Sequence, residues 1–564
     1  MNGNQKKSPI GMDNFEMLIQ EGYYYVDKTG LIRDLLRNRG YVNLYTRPRR
    51  FGKTLNMSML EAFFSPDSDK GIFDGLEIAK ERDLCDQYMG KYPVIFITLK
   101  RIDAGNFATA YKQAVHLIQE EAVKVDEIPG IHEKLHLSER NALDRLLQDK
   151  VEEADLYDSL HTLSSILEKV YDQKVIILID EYDVPLARAN EYGYYDQMVL
   201  LIRNLFHQAL KSNSSLQFAV LTGCMRISKE SIFTGLNNLR VLGVTDVRSG
   251  EYFGFTDEEV REMLAYYGVE DRYEVTREWY DGYRFGDVEV YCPWDVVNYC
   301  DLLRSDPKAE PESYWINSSG NGIVREFLKN SRYSSVKKEI ESLLNGEAVE
   351  KTIRQDLTYE DMYSSIENLW SVLLTTGYLT QRGRISANRF QLAIPNQEVR
   401  YIFEEQVMEL FREDVQKDGE TLTRFCEALK TGDAATAEQL FSAYLRKHIS
   451  IRDTAARDGQ KENFYHGVLL GILSVKEDWG VFSNKESGEG YSDILAEIGD
   501  YEMAIVIEVK VARDGNLEAA CREALRQIEE RHYAEDLYDD GYDHILKYGI
   551  ACCKKRCRVM LAAE

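Results

Sequence analysis

Leu44-Tyr-Thr-Arg47-Pro-Arg-Arg-Phe-Gly52-Lys53-Thr54-Leu-Asn-Met57 joins an apolar run, Tyr41–Thr46, to a stretch in which Leu55, Met59 and Phe63 recur at i, i+4 and i+8. The first reads as a buried strand and the second as one face of a helix. The turn between them carries Gly52-Lys53-Thr54, the end of the pattern G-x-x-x-x-G-K-[ST], with Arg47 at the first glycine position. Each residue has a physical task at a phosphate. Gly52 lets backbone N–H groups turn inward, and Lys53 neutralises the β/γ oxygens. Thr54 offers a hydroxyl to Mg²⁺, and the helix that follows presents its positive end to the anion. Arg47, Arg49, Arg50 and Lys53 make the turn basic, and no acid interrupts residues 47–54. With Pro48 and Phe51, they form the expected nucleotide-binding loop.

A second strand supports the same chemistry. Val175-Ile-Ile-Leu-Ile179-Asp180-Glu181 is an apolar run ending in two acids. Asp180 is expected to hold the Mg²⁺ shell, and Glu181 to polarise the attacking water. The next apolar run ends at Thr222, where a side chain can sense the γ-phosphate, and Arg226 just beyond can stabilise charge in cis. Strands Tyr41–Thr46, Val94–Leu99, Val175–Ile179 and Leu216–Thr222 alternate with amphipathic stretches at Ala108–Val125, Leu156–Val170 and Tyr195–Leu210. That alternation predicts an α/β fold with a parallel sheet of the P-loop NTPase kind.

Tyr24-Tyr-Val-Asp-Lys-Thr29, the loop Thr46–Met57 and Ile179-Asp-Glu-Tyr-Asp183 resemble the bacterial AAA-ATPase-like proteins that carry a C-terminal PD-(D/E)XK nuclease-like domain. Glu251-Tyr-Phe-Gly-Phe255, Trp279-Tyr-Asp-Gly-Tyr283, Tyr314-Trp-Ile-Asn-Ser318 and Thr376-Gly-Tyr-Leu379 are similar to further signatures of that family. The resemblance makes Arg47 a family trait and implies an ATP-binding α/β core followed by a helical region.

Near the C-terminus, Asp493 opens one apolar strand and Glu508-Val-Lys510 closes the next, in the pattern D-x14-E-x-K. Residues two apart on a strand share a face, so Glu508 and Lys510 emerge together, and an acid on the neighbouring strand can join them. Two carboxylates can hold Mg²⁺ or Mn²⁺, and a lysine can orient the water that attacks a phosphodiester. This is the working pattern of PD-(D/E)XK nucleases. Glu462 and His466 lie i, i+4 on the preceding helix, offering a further metal-binding acid and a polar support. Gln527, followed by Tyr533, resembles the trailing motif of that family, whereas Tyr491-Ser492 stands where relatives often show an arginine beside the acid. A helix at Glu462–Lys476, strands around Tyr491–Ile498 and Glu502–Lys510, and a helix at Leu517–Tyr533 are expected to form a restriction-endonuclease-like α/β domain.

These readings divide the 564 residues into an AAA-like P-loop ATPase domain (1–255), a helical, lid or winged-helix-like middle (256–415), a helical connector (416–455) and a nuclease-like domain (456–564). The middle reads as mainly helical, with paired helices at Glu420–Ile449 and a polar linker at Arg452–Lys461. At roughly 100–200 residues per domain the length accommodates about three to five. No apolar run approaches the roughly 18–20 residues of a membrane span. The polar Met1–Asn14 lacks a signal-peptide core, and nine scattered cysteines suit reduced thiols, so the expected location is the cytoplasm. Cys552, Cys553 and Cys557 cluster, but no second ligand pair accompanies them, so zinc is not favoured.

The charge of −26, from 69 basic and 95 acidic residues, excludes a generally adhesive nucleic-acid coat. DNA or RNA is therefore expected to bind through a restricted basic face; a homo-oligomer is the other partnership considered. The leading expectation is an ATP-hydrolysing protein coupled to a Mg²⁺-dependent nuclease-fold domain. The competing expectation is a signalling or scaffold ATPase whose nuclease-like domain only binds nucleic acid or a protein partner.

Overall fold

The computed structural model describes residues 5–562 apart from 227–231, 234–235, 316–321, 331–333, 360, 363, 407–418, 449–460, 475, 477–478, 488–489, 500–502, 534–536, 539–540 and 543. The predicted linker at 452–461 lies outside the described residues but for its last, as do residues 316–318 of the motif that begins at Tyr314. Two compact units divide the chain: Met1–Gly320 with Ala348–Arg400, and Asn321–Glu347 with Tyr401–Glu564.

In the first unit, β1 (Val42–Thr46) feeds helix α1 (Lys53–Phe64) through the basic loop. Strands β2 (Val94–Thr98), β3 (Val175–Asp180), β4 (Leu216–Gly223) and β5 (Leu239–Leu242) complete a parallel sheet in the order β2-β3-β4-β1-β5. Parallel neighbours need long crossovers. Helices α2 (Phe107–Asp126), α3 (Glu153–Tyr171) and α4 (Tyr195–Leu210) lie between the strands in the chain. Every residue of β3 is buried, as its unbroken Val/Ile/Leu run requires when both faces are covered. The order places β4 between β1 and β3, with Thr46 opposite Gly223 and Ile179 opposite Leu221. The ends of β1, β4 and β3 therefore open side by side.

The rest of this unit is helical, with two small sheets. A hairpin joins β6 (Tyr283–Phe285) to β7 (Val288–Val290), and helix α5 (Pro293–Ser305) follows. Strand β8 (Val349–Thr352), helix α6 (Ile366–Thr376), β9 (Thr380–Ser386) and β10 (Arg389–Ala393) give an antiparallel sheet ordered β8-β10-β9.

The second unit contains helices α7 (Gly419–Lys430), α8 (Ala434–His448) and α9 (Lys461–Leu473), and a mixed sheet. Its strands, β11 (Gly480–Ser487), β12 (Gly490–Ile498), β13 (Met503–Val511), β14 (His544–Cys553) and β15 (Arg556–Leu561), are hydrogen-bonded in chain order. Only β13 and β14 run parallel, and helix α10 (Leu517–Glu530) lies between them in the chain. The expected β12–β13 hairpin is thus the core of a wider sheet. One face, with Ile494, Ile505, Ile507 and Val509, packs in a cluster with Tyr465, Leu469 and Ile472 of α9. Leu495, Ala504 and Val506 point the other way, toward Ile528 and Tyr533.

Candidate functional site

At the first site the loop after β1 alternates backbone hand, with Arg50 at φ +70° and Gly52 at φ +74°. Left-handed backbone is permissive for glycine and costly elsewhere. The following α1 then starts at Lys53. Lys53 is buried, and its Nζ donates to the carbonyls of Arg47 (3.2 Å) and Pro48 (3.0 Å) and lies 3.3 Å from Glu181 Oε1. Burial works against its charge, but the Cys224 sulfur with Glu181, Asp180 and Asp183 outweighs that and holds the ammonium above the ordinary lysine range. Glu181 itself sits at φ +51°, a conformation that turns the residue at the end of β3 toward the loop.

Asp180 is the junction. Thr54 Oγ1 donates to one carboxylate oxygen (2.8 Å) and Thr222 Oγ1 donates to the other, so loop, β3 and β4 meet at one buried acid. Burial raises its pKa while the two hydroxyls oppose the rise. Asp183, a residue whose role the sequence reading did not assign, fixes the end of β4. Its Oδ2 accepts from the backbone N–H groups of Cys224 (3.0 Å) and Met225 (2.9 Å), and burial, then Glu181, pushes its carboxyl up to about 6. Gly223 permits that approach, since a Cβ there would meet the Tyr182 ring at 2.6 Å and Asp183 at 2.7 Å. The signal was present in Asp180-Glu-Tyr-Asp183, whose third acid falls one helical step beyond the strand.

The loop residues split by role. Arg49, Arg50, Gly52, Lys53 and Thr54 line a cavity of about 620 Å³, with Glu181 on its wall and Tyr25, Phe255, Trp294 and Val297 among its apolar lining. Arg50 donates to the Tyr314 carbonyl (2.9 Å) and lies over the Trp294 ring at 5.3 Å. Arg47 turns inward instead. Its Nη1 donates to the carbonyls of Thr46 (2.9 Å) and Leu242 (2.8 Å), and the guanidinium lies over Phe253 and Phe285 at 5.0 and 5.2 Å. Burial lowers its pKa to about 10, so the group remains charged and braces β1 against β5. Phe51 packs edge-on against Tyr283 and Phe285, and Pro48 is buried. Arg47, Pro48 and Phe51 were expected at the nucleotide; the structure brings their side chains into the core, leaving backbone groups for an anion. Arg226 follows β4 by three residues and is half-buried.

At the second site, Asp493 Oδ2 accepts from the Val509 backbone N–H (2.8 Å), where the regular pairing of Ile494 with Ile507 ends. Burial raises the Asp493 pKa, with the Val509 N–H opposing. Lys510 Nζ lies 3.0 Å from Glu462 Oε1 on α9 and 3.1 Å from Glu508 Oε1. Glu508 is buried, and its Oε2 has no hydrogen-bond partner among the described residues. Burial, with Asp493 adding to it, lifts this carboxyl to about 7. A buried acid oxygen without a donor, beside a second acid, is a donor set that fits a hard divalent cation.

Glu462 is less suited, because the lysine already occupies it. Among the described residues no group of three His, Cys, Asp or Glu side chains is arranged for a metal ion. His466 Nε2 lies 2.7 Å from the Asp493 carbonyl and 3.2 Å from Ser483 Oγ. A carbonyl only accepts, so that nitrogen carries the proton and positions β12. Gln527 Nε2 donates to Tyr533 Oη (3.4 Å), pairing the two trailing residues with each other. The side chains of Tyr491 and Ser492 lie outside the described residues. The nine cysteines include no disulfide.

Comparison with known proteins agrees with this fold. Residues 9–233 match the family model of the predicted AAA-ATPases, and residues 460–561 match that of the PD-(D/E)XK nuclease superfamily. The chain therefore combines an AAA-ATPase-like region with a nuclease-fold region, as the sequence resemblance implied. An uncharacterized protein encoded in the vnfD 5' region of Azotobacter chroococcum mcd 1 is similar to it, with 27% identity over 464 residues, 78% of this chain and 77% of the relative. Among the described residues no helix is long and apolar enough to cross a membrane.

Proposed function

We propose that the protein binds and hydrolyses ATP in the cytoplasm, and that its C-terminal unit is a Mg²⁺-dependent nuclease-fold domain acting on DNA or RNA phosphodiesters. The observation that supports the ATPase reading best is the meeting of Thr54, Thr222 and Asp180 beside the Lys53–Glu181 pair. It lies at the wall of a cavity within the usual ligand range of about 300–1,000 Å³. An arriving polyphosphate competes with Glu181 for Lys53. The ammonium moves to phosphate oxygens and Glu181 is released to orient water. Thr54 and Asp180 would hold Mg²⁺, which supplies charge neutralisation between the phosphates. Backbone N–H groups at Gly52–Thr54 and the start of α1 add fixed positive potential. The test is phosphate release by purified protein with Mg²⁺. Lys53→Ala and Glu181→Gln are each expected to lower it at least about 100-fold, and hydrolysis indifferent to both removes the assignment.

At the second site, Asp493 and Glu508 would hold Mg²⁺, with Mn²⁺ as the substitute; the metal would polarise a phosphodiester and its attacking water. Lys510, freed from Glu462, would orient that water. A second reading has its own supporting observation: Lys510 is paired with both Glu462 and Glu508, a closed arrangement that suits a domain which binds nucleic acid or a protein without cutting. Plasmid and single-stranded DNA incubated with Mg²⁺ or Mn²⁺ separate the two. Cleavage that disappears in Asp493→Ala and Glu508→Ala favours the nuclease, and intact substrate with all three proteins favours the scaffold.

A further inference from the structure

The hairpin β9–β10 carries a charge pattern that neither site uses. Residues 380–393 contain Arg382, Arg384 and Arg389 and no acid, in a chain with 95 acidic residues against 69 basic ones. All three arginines are exposed, as is Ile385 at the tip. Arg389 pairs with Glu350 of β8 at 2.8 Å. Arg382 and Arg384 have no carboxylate partner among the described residues. Arg382 Nη2 donates to the Pro395 carbonyl (3.3 Å). Arg384 donates to two carbonyls of its own turn, Ser386 (3.2 Å) and Ala387 (2.7 Å). Bonds to neutral carbonyls preorganise these guanidinium groups without neutralising them.

The hairpin is rigidly seated. Gln381 donates to the Gly286 carbonyl, the Arg284 backbone N–H donates to Thr380 Oγ1 (2.8 Å), and Arg284 Nη1 donates to the Arg382 carbonyl (3.2 Å). Phe390, over whose ring the Arg384 guanidinium lies at 5.6 Å, and Leu392 anchor β10 in the core. Strand β9 is also the free edge of its sheet, since β10 lies between it and β8.

We propose that this edge, through Arg382 and Arg384, is a docking surface for the phosphate backbone of duplex DNA. The inference rests on the nucleic-acid reading above and gives it a location in the first unit. Two residues along a strand span about 7 Å, close to the axial rise of two nucleotides of one DNA strand. The two arginines, the first of them at a bulge, therefore match the axial spacing of every second phosphate of one strand. No aromatic side chain is exposed among 382–389, so the stacking platform on which single strands depend is missing from this edge. The protruding tip, with Ile385, Ser386 and Asn388, suits the wide major groove of B-form DNA better than the deep, narrow groove of A-form RNA. Phosphate contacts position a protein without reading sequence, so binding is sequence-independent and strongly dependent on salt.

The test is fluorescence anisotropy with the full chain in EDTA. The probes are a 30-base-pair DNA duplex, the same duplex in RNA, and single-stranded DNA. Wild type should prefer the DNA duplex. Arg382→Ala with Arg384→Ala should weaken duplex binding by about tenfold and reduce the slope of log affinity against log salt by about 2. Arg382→Lys with Arg384→Lys should keep the slope, and matching melting temperatures establish that both variants fold. Duplex binding that survives the alanine pair with an unchanged slope overturns the inference and leaves the nucleic-acid reading standing. No binding to any probe by wild type overturns both. Tighter binding of the RNA duplex or the single strand overturns the assignment to DNA.

Discussion

The two units each place a lysine against carboxylates at the end of a strand, yet they satisfy those carboxylates in opposite ways. In the first, both oxygens of Asp180 receive hydroxyl protons, from Thr54 and Thr222, and Lys53 is held by two carbonyls as well as by Glu181. Asp180 and Lys53 are thus satisfied before any ligand arrives, while Asp183 Oδ1 at the same strand end is buried with no partner among the described residues. In the second, Lys510 engages Glu462 and one oxygen of Glu508, and the other oxygen of Glu508 is buried with no donor. An unsatisfied buried acid is costly unless a proton or a cation joins it. The first site is therefore organised for an anion, which has to displace an internal ion pair. The second is organised around a missing positive charge.

The largest expected effect follows from that contrast. Mg²⁺ or Mn²⁺ added without nucleotide should stabilise the full chain through the second site. Saturation at 100 times the dissociation constant corresponds to about 2.7 kcal/mol. Glu508→Gln should remove the metal-dependent rise in melting temperature, and Glu181→Gln should retain it. A rise of equal size in Glu508→Gln would mean that the unpartnered oxygen is not where the cation binds.

A smaller effect tests the complete site. Thr222→Val leaves one oxygen of the buried Asp180 without its donor, the condition in which Glu508 already exists. The cost of such a loss is about 2 kcal/mol. It should appear as a lower melting temperature in the transition that ATP moves, with Thr222→Ser close to wild type. If valine is tolerated as well as serine, the hydroxyl is not what satisfies Asp180, and the contrast between the sites fails.

Both sites were legible because their residues come in short runs tied to strand ends, where the chemistry and the apolar periodicity reinforce each other. Gly52-Lys53-Thr54 lies between a strand and a helix, and Asp180 closes the most apolar strand of the sheet. Helix α4 falls at Tyr195–Leu210, the span its periodicity indicated. What local pattern did not carry was of two kinds. Strands β5 and β9 are edges whose arginines, half-buried Arg240 and exposed Arg382 and Arg384, break the apolar run, so Leu239-Arg-Val-Leu242 and Thr380-Gln-Arg-Gly-Arg-Ile-Ser386 do not look like buried strands. The inward turn of Arg47 depends on Leu242, Phe253 and Phe285, about 200 residues or more along the chain, and no local spacing announces such contacts. The pairing of Lys510 with Glu462 spans 48 residues, still beyond any local pattern, and it is the contact that weakens Glu462 as a metal ligand.

The smallest effect asks whether a carboxyl raised by burial marks a ligand site or only burial. Glu61, on α1 of the first unit, is the counterpart of Glu508 outside either site. Burial lifts it to about 7, with Lys124 opposing and Glu121 adding to the rise. A carboxyl whose folded pKa is raised holds its proton more tightly in the folded state. Its contribution to stability is full below the ordinary carboxylate range and is lost as pH rises through about 7. Wild type should therefore lose stability between pH 5 and pH 8, and Glu61→Gln should lose less, by an amount on the order of 1 kcal/mol after partial solvent screening. The gap between the two proteins should not respond to Mg²⁺, although each protein's own pH slope should, because burial lifts Glu508 to about 7 as well and the cation competes with its proton. Melting curves at the two pH values, with metal and with EDTA, decide the matter. An unchanged pH slope in Glu61→Gln would show that this carboxyl does not titrate in that window. A gap between wild type and Glu61→Gln that changes with Mg²⁺ would place a cation at Glu61 too, and Glu508 would no longer be distinguished by its vacant oxygen.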